Sequence, residues 1–395
     1  MDMKKNKVKK RVTEIKVNKK YSIGIMIFII LMGIILIFTG RISKEKIGPD
    51  VSSTYVKATV LEIKKDNSNN SEFGGNQTVI CDITSGKYKG KQCEVSTANS
   101  YNRGAFCQPG TKVILLLGED SKGNLTGGVY NYDRSSMIWI WVILFLLCLC
   151  VIGGKKGVAS SAALIYTLLC VIFLYIPLLY IGVNPFISAV ITSMLILSAS
   201  IFILNGWSGK TLCGILGTIT GVTLAGLIAF IFGSTANLTG FNLSDVEAML
   251  YIANSSKLSV GGLLFSGILI SSLGAVMDVS VSITAAMQEI YEKVPDISVK
   301  ELFLSGMNVG HDMMGTMSNT LILAYAGNSV TTILTVYSYE MPYLQTIGYN
   351  SIIIELLRGI SGTMGVILTV PIQAVITTWY LKKGHKVKEK LKLVA

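Results

Sequence analysis

Two hydrophobic patterns divide this chain. Residues 22–40, SIGIMIFIILMGIILIFTG, form one unbroken apolar run. From Met137 to Tyr380 such runs return, separated by short polar punctuation. A helix needs about 20 apolar residues to cross the roughly 30 Å of bilayer hydrocarbon, so each run predicts a membrane span. Between them, residues 41–135 alternate instead: YVKATVLEIKK (55–65), QTVICDIT (77–84), KQCEVSTA (91–98), PGTKVILLLG (109–118) and NLTGGVYNY (124–132), with turn residues between. A two-residue period bounded by Gly, Pro and Asn is the mark of strands, and five short ones predict a small antiparallel barrel.

Eight spans fit the apolar runs. After 21–40, the second starts at Met137 with Trp139 and Trp141 as interfacial anchors, and Lys155 and Lys156 predict a short hairpin. The third ends at Pro177, the fourth runs from Asn184-Pro185 to Asn205-Gly206, and the fifth covers 211–233. Residues 234–257 predict an external loop with a surface helix. The sixth span begins near Leu258, the seventh ends near Tyr337 and the eighth ends at Tyr380. Glycines recur in the fifth (Gly214, Gly217, Gly221, Gly226) and the eighth (Gly359, Gly362, Gly365), which predicts close helix packing.

Charge orients these spans. Only 15% of the 395 residues are charged, against about 25% in soluble proteins. No Asp, Glu, Lys or Arg occurs from Gly157 to Gly209 or from Thr211 to Ser244. Nine Lys/Arg against two acids in residues 1–20, and six Lys against one acid in 382–395, account for the whole net charge of +12. Basic flanks of apolar spans predict cytoplasmic termini rather than a nucleic-acid surface, and RISKEK after the first run offers no cleavage site. The prediction is an α-helical polytopic membrane protein of about eight transmembrane helices, both termini inside, multi-pass in the cell membrane. A small extracytoplasmic all-β domain, an OB-like barrel, is inserted after the first helix. The domains are a basic tail (1–20), a first helix (21–40), the β domain (41–135), seven further helices (136–381) and a second basic tail (382–395). Cys81, Cys93 and Cys107 in the β domain allow at most one disulfide.

Two apolar stretches are too long for one crossing. Leu258–Ile290 has 33 residues and Leu302–Tyr337 has 36. As straight helices each would be roughly 50 Å long, so each must project, break or re-enter. The misplaced polar residues lie in these stretches: Asp278 in SSLGAVMDVSVSIT (271–284), and Asn308, His311, Asp312, Asn319 and Thr320 in GMNVGHDMMGTMSNT (306–320). On a helix Asn308, Asp312 and Asn319 share a face. Intramembrane acids are expensive against lipid and mark ion or substrate paths. Gly274, Gly310 and Gly315 are candidates for helix break or packing. Three registers remain open: a cytoplasmic surface helix over 302–315, a mid-membrane site, or re-entry at Gly310–Gly315. Glu355 and Arg358, three apart, predict a self-neutralising pair at the outer interface.

SLGAVMDVSVSIT and GHDMMGTMSNTLILAYAG together resemble the signature pair of YibE/F-like bacterial membrane proteins, and the similarity extends from ITSGKYKGK (83–91) to the last span. Asp278, Asp312 and Asn319 match that pattern, whereas His311 stands where an Arg is expected. The resemblance implies an integral membrane architecture and a site, without a substrate. The leading function is a secondary transporter or ion-coupled permease, with Asp278 and Asp312 binding a cation or proton and Asn308, Asn319 and Thr320 as neutral ligands. Against it stand a non-catalytic scaffold or accessory subunit whose β domain recruits an envelope partner, and an intramembrane aspartyl protease built on Asp278 and Asp312. The latter lacks a Gly-x-Gly-Asp sequence. No nucleophile–base pair, phosphate loop or metal cluster is present, so no catalytic residue, metal or cofactor is expected. The anticipated partners are the lipid bilayer, a small solute or cation and an envelope protein, with no nucleic acid.

Overall fold

Five strands close into a barrel in the order β1-β2-β3-β5-β4, and β4 pairs back onto β1. They are β1 (Thr54–Asp66), β2 (Asn76–Ile83), β3 (Gln92–Ala98), β4 (Lys112–Glu119) and β5 (Leu125–Tyr132). The computed structural model describes residues 33, 54–67, 75–98, 104–119, 125–206, 209–243 and 246–394. The basic tail at 1–20 and, apart from Gly33, the helix expected at 21–40 lie outside them. By packing, the chain divides into two units, Lys46–Ile152 and a second that holds Gly153–Ala395.

The barrel follows directly from the alternation. Val56, Ala58 and Val60 of β1, Val79, Cys81 and Ile83 of β2, and Val113, Leu115 and Leu117 of β4 all point inward and are buried. Bulges between Val60 and Glu62, and again between Ile63 and Lys65, bend the long β1 so that it serves both neighbours. Gly127 is required where β5 meets β4, because any Cβ there would overlap the Leu116 carbonyl. One buried polar residue locks the segment after β3: Gln77 Oε1 accepts from Cys107 N (2.8 Å), and its Nε2 donates to Asp66 Oδ2 (3.1 Å) and Cys107 O (3.3 Å). Cys81 and Cys93 are cross-strand neighbours, yet they and Cys107 are all free thiols. Burial pushes Cys81 up to about 12 and Cys107 to about 11, which leaves both protonated at neutral pH.

The helices are α1 (Ser135–Cys170), α2 (Ile176–Tyr180), α3 (Pro185–Asn205), α4 (Gly209–Thr235), α5 (Val246–Ser255), α6 (Leu263–Lys293), α7 (Val299–Asn328), α8 (Val330–Ser338), α9 (Tyr343–Ile347) and α10 (Asn350–Val394). Among the described residues five helical stretches are long and apolar enough to cross a membrane, or up to six if the bent α7–α8 pair is one span. Four boundaries differ from expectation. No loop forms at Lys155–Lys156; a single residue, Gly154 (φ 54°, ψ −133°), interrupts the helix just before them. The helix does not end at Pro177 but passes into α2 through a π-helical turn, Val171–Tyr175. A π turn shifts the hydrogen-bond ladder by one residue, which accommodates a proline that has no N–H to give. The sixth span begins at Leu263, five residues after Leu258. The last helix runs on past Tyr380 to Val394.

Helices α3, α4, α6, α7 and α10 make the core of the second unit. Its closest approaches are built on absent side chains. A Cβ on Gly217 of α4 would overlap Gln373 Oε1 of α10, and one on Gly221 would overlap Thr369 Oγ1. From the other side, a Cβ on Gly365 would lie 2.5 Å from that of Ala225. Apolar packing between helices has no hydrophobic advantage in lipid, so this backbone proximity supplies the dispersion contact that holds them together.

Candidate functional site

The capping box that starts α7 fixes its register. Ser298 Oγ accepts from Glu301 N (3.1 Å), while Glu301 Oε2 accepts from Ser298 N (3.0 Å). From there the helix continues unbroken through Gly310 and Gly315 to Asn328, so the re-entrant geometry considered for Gly310–Gly315 is not what forms. The break lies at Ser329 instead, where α8 departs at 61°.

Gly310 is a packing glycine. Leu302, Gly306 and Gly310 form the buried face of α7. A Cβ on Gly306 would sit 2.5 Å from Met287 Sδ and 3.2 Å from Ala374 Cβ, and one on Gly310 would overlap Val370. Glycine therefore lets α7 press onto both α6 and α10. Gly315 and Gly274 have open space around their Cα atoms and do not serve contact.

The opposite face of α7 carries the polar residues. Asn308, His311, Asp312, Gly315, Asn319 and Thr320 are all exposed, as are Gly274 and Asp278 of α6. Among the described residues, no side chain hydrogen-bonds or ion-pairs with those of Asn308, His311, Asp312, Asn319 or Asp278. Thr320 is committed differently, since its hydroxyl donates to Thr316 O (2.9 Å). The contact of Gly306 with Met287, and that of Tyr325 Oη with Ser271 Oγ (3.1 Å), set α6 and α7 antiparallel. In that register Asp278 stands opposite the 315–318 turn, displaced from Asp312 by roughly 5–9 Å along the axis. The two acids thus belong to adjacent helices at neighbouring depths, and Asn319 lies level with Asp278.

A second polar constellation is fully buried where α4, α6 and α10 converge. The two N–H groups of Gln373 Nε2 are shared among three acceptors, Thr284 Oγ1 (2.5 Å), Thr377 Oγ1 (3.0 Å) and Cys213 O (3.2 Å), while its Oε1 accepts from Ser280 Oγ (2.7 Å). Ser280, Thr284, Gln373 and Thr377 are essentially inaccessible. The sequence reading missed this hub, although Gln373 in the apolar run VPIQAVITTWY was visible. Because every donor and acceptor is matched within the protein, the hub joins helices and offers nothing to a ligand. Lys382 closes the α6–α7 connection by donating to Ile297 O and stacking 5.1 Å over Tyr291.

Glu355 and Arg358 pair as expected, with Arg358 Nη1 donating to Glu355 Oε1 at 2.6 Å. A packed bundle of long apolar helices, polar on one outward face and joined to a small β-barrel, defines a helical membrane protein with an appended barrel. Residues 141–383 match the family model described as YibE/F-like protein, and the chain belongs to that family. The match begins inside α1, and the barrel lies outside the matched residues. No curated protein and no solved structure matches the chain.

Proposed function

We propose that this YibE/F-like protein is an ion-coupled permease for a small solute or cation. In this reading it crosses the cell membrane eight times, with both termini in the cytoplasm and the barrel outside. The supporting observation is the stripe of Asn308, Asp312 and Asn319 on α7, beside Asp278 on α6, exposed and without protein partners among the described residues. An ionised carboxylate facing hydrocarbon costs several kcal/mol, so a stripe of this kind borders water or a permeating ion. Asp278 and Asp312 serve as the proton or cation acceptors, and the two amides as neutral ligands. His311 shares the stripe without a separate role.

The test is flux into liposomes that contain the purified full-length protein, read with an internal pH-sensitive dye under an imposed gradient. Asp312→Asn and Asp278→Asn should each abolish proton-linked flux while the protein remains monodisperse. Flux at the wild-type rate in both variants would refute the assignment. A docking role for the barrel is favoured by one feature, the exposed Tyr55–Tyr130 pair, packed edge-to-face at 5.1 Å. Deleting 54–132 separates the two readings, because a permease keeps its flux and a scaffold loses its function.

A further inference from the structure

The polar stripe of α7 is open along its outer side. Its exposed residues recur at steps of four and three: Leu304, Asn308, His311, Gly315, Asn319 and Ile322. At 3.6 residues per turn they all fall within about 40° of Gly315, and Gly306, on the face pressed into α6 and α10, lies diametrically opposite. Such spacing makes a seam along which two helices pack side by side. A Cβ at Gly315 would meet nothing within 4 Å, nor would one at exposed Gly274 of α6. Gly306 and Gly310 are used by packing inside the chain, whereas the outward glycines leave room for a further backbone to approach.

The seam is also self-complementary in charge. His311 lies about 40° to one side of Gly315 and Asp312 about 60° to the other, nearly at one level. Neither side chain has a partner among the described residues. A two-fold axis parallel to the helix sets each side of the seam against the opposite side of its copy. His311 then meets the partner's Asp312, and Asp312 meets the partner's His311, so both groups are paired in both copies. Residues 21–40 contain no charged residue and no side-chain amide, so they offer the stripe no charge to pair with.

We propose that a second copy of this chain covers the stripe, with the two α7 helices packed in parallel at Gly315 and His311 of each paired with Asp312 of the other. The site read above as an ion path is then completed between two copies, and acids and amides from both line it. The inference rests on the permease reading for what the enclosed stripe does, and not for the contact itself.

The test is disulfide cross-linking of the full-length protein in liposomes at low protein density. Cys148 and Cys150 are first replaced by Ser, which leaves only buried cysteines. Gly315→Cys, treated with copper phenanthroline, should give a covalent dimer on non-reducing gels, whereas Leu216→Cys, at an exposed position of α4, should stay monomeric. Leu304→Cys lies on the same seam and decides the matter if Gly315→Cys does not fold. Adding His311→Asp should lower the dimer about tenfold or more, because acid then faces acid, and adding Asp312→His as well should restore it. Seam cysteines that cross-link no better than Leu216→Cys, or a dimer indifferent to His311→Asp, would overturn the proposal. So would a disulfide within one chain between Gly33→Cys and Gly315→Cys, since residues 21–40 would then hold the face. Proton flux is read separately. Loss of the cross-link with flux intact refutes the dimer alone, and wild-type flux in Asp278→Asn and Asp312→Asn beside an intact cross-link refutes the permease alone.

Discussion

Gly217 and Gln373 should be energetically coupled, and the coupling can be measured. Gln373 has four interhelical or intrahelical partners at the hub, Thr284, Thr377, Cys213 O and Ser280. Two N–H groups and one accepted bond make three hydrogen bonds at a time, and at roughly 0.6 kcal/mol for each in a membrane protein the set is worth about 1.8 kcal/mol. Gly217→Ala places a methyl where Gln373 Oε1 now lies, so Gln373 must leave its partners. The substitution also gains up to about 1 kcal/mol of helix propensity, for a net loss of roughly 1 kcal/mol. Gln373→Ala alone should cost about 3 kcal/mol, the lost bonds plus a partly collapsed cavity. In that background the overlap with Gln373 is gone, and the one close atom left is Ser280 Oγ at 3.0 Å, which has to give by a few tenths of an ångström while it keeps its bond to Gly214 O. Gly217→Ala should therefore become neutral or stabilising, for a coupling energy of roughly 2 kcal/mol. Reversible unfolding in mixed micelles, titrated with dodecyl sulfate and followed by far-UV circular dichroism, measures all four corners of the cycle. Effects that add to within about 0.5 kcal/mol would refute the direct clash as the reason for glycine at 217.

Three further outcomes follow from the barrel and the Gly154 break. The thiols of Cys81 and Cys107 have raised folded values of about 12 and about 11, so the stability they contribute is complete below the unfolded value near 9. The barrel transition should hold steady from pH 6 to roughly pH 8 and fall as pH rises from about 9 towards the folded values of about 11 and about 12, and native protein should resist iodoacetamide at pH 8 until denaturant is added. Asp133 is held below its usual carboxylate range, first by the Ser135 hydroxyl at 2.6 Å and further by Lys57 at 3.1 Å. Asp133→Ala should lower stability by about 1 kcal/mol at pH 7. In the wild type this contribution is present above the unfolded value and vanishes as pH falls through the lower folded one, so the variant and wild-type melting curves should converge in acid. Gly154→Ala meets no atom within 4 Å, yet should cost about 1–3 kcal/mol through backbone strain alone. A melting temperature equal to the wild type would show that the helix break tolerates a side chain.

Local pattern carried much of the architecture. The strands at 55–65, 77–84, 91–98, 109–118 and 124–132 appear where alternation placed them, because one face of each had to be apolar. The surface helix expected in 234–257 forms as α5, and the Glu355–Arg358 pair follows from helical spacing. Interruptions were harder to read. Glycine at 310 and 315 suggested a break, but a packed helix tolerates glycine when a neighbour fills the space, as Val370 does at Gly310. The real break at Ser329 falls in GNSV, a stretch with no strong signal. Pro177, which should end a helix, is absorbed by a π turn that periodicity cannot reveal.

The sequence alone determined that Asn308, Asp312 and Asn319 share a helical face and that the net positive charge lies at the two ends, since both are matters of spacing and count. Only the tertiary structure decided which way that face points. Gly306 and Gly310 press the other side of α7 into α6 and α10, and the polar stripe, including His311 and Asp312, is left outward beside Asp278. Tertiary packing likewise made Gln373 an internal joint, because its partners come from Ser280, Thr284 and Cys213, which are 93, 89 and 160 residues away along the chain. A helix face is written in its own residues, whereas its neighbour is set by which surfaces fit most closely.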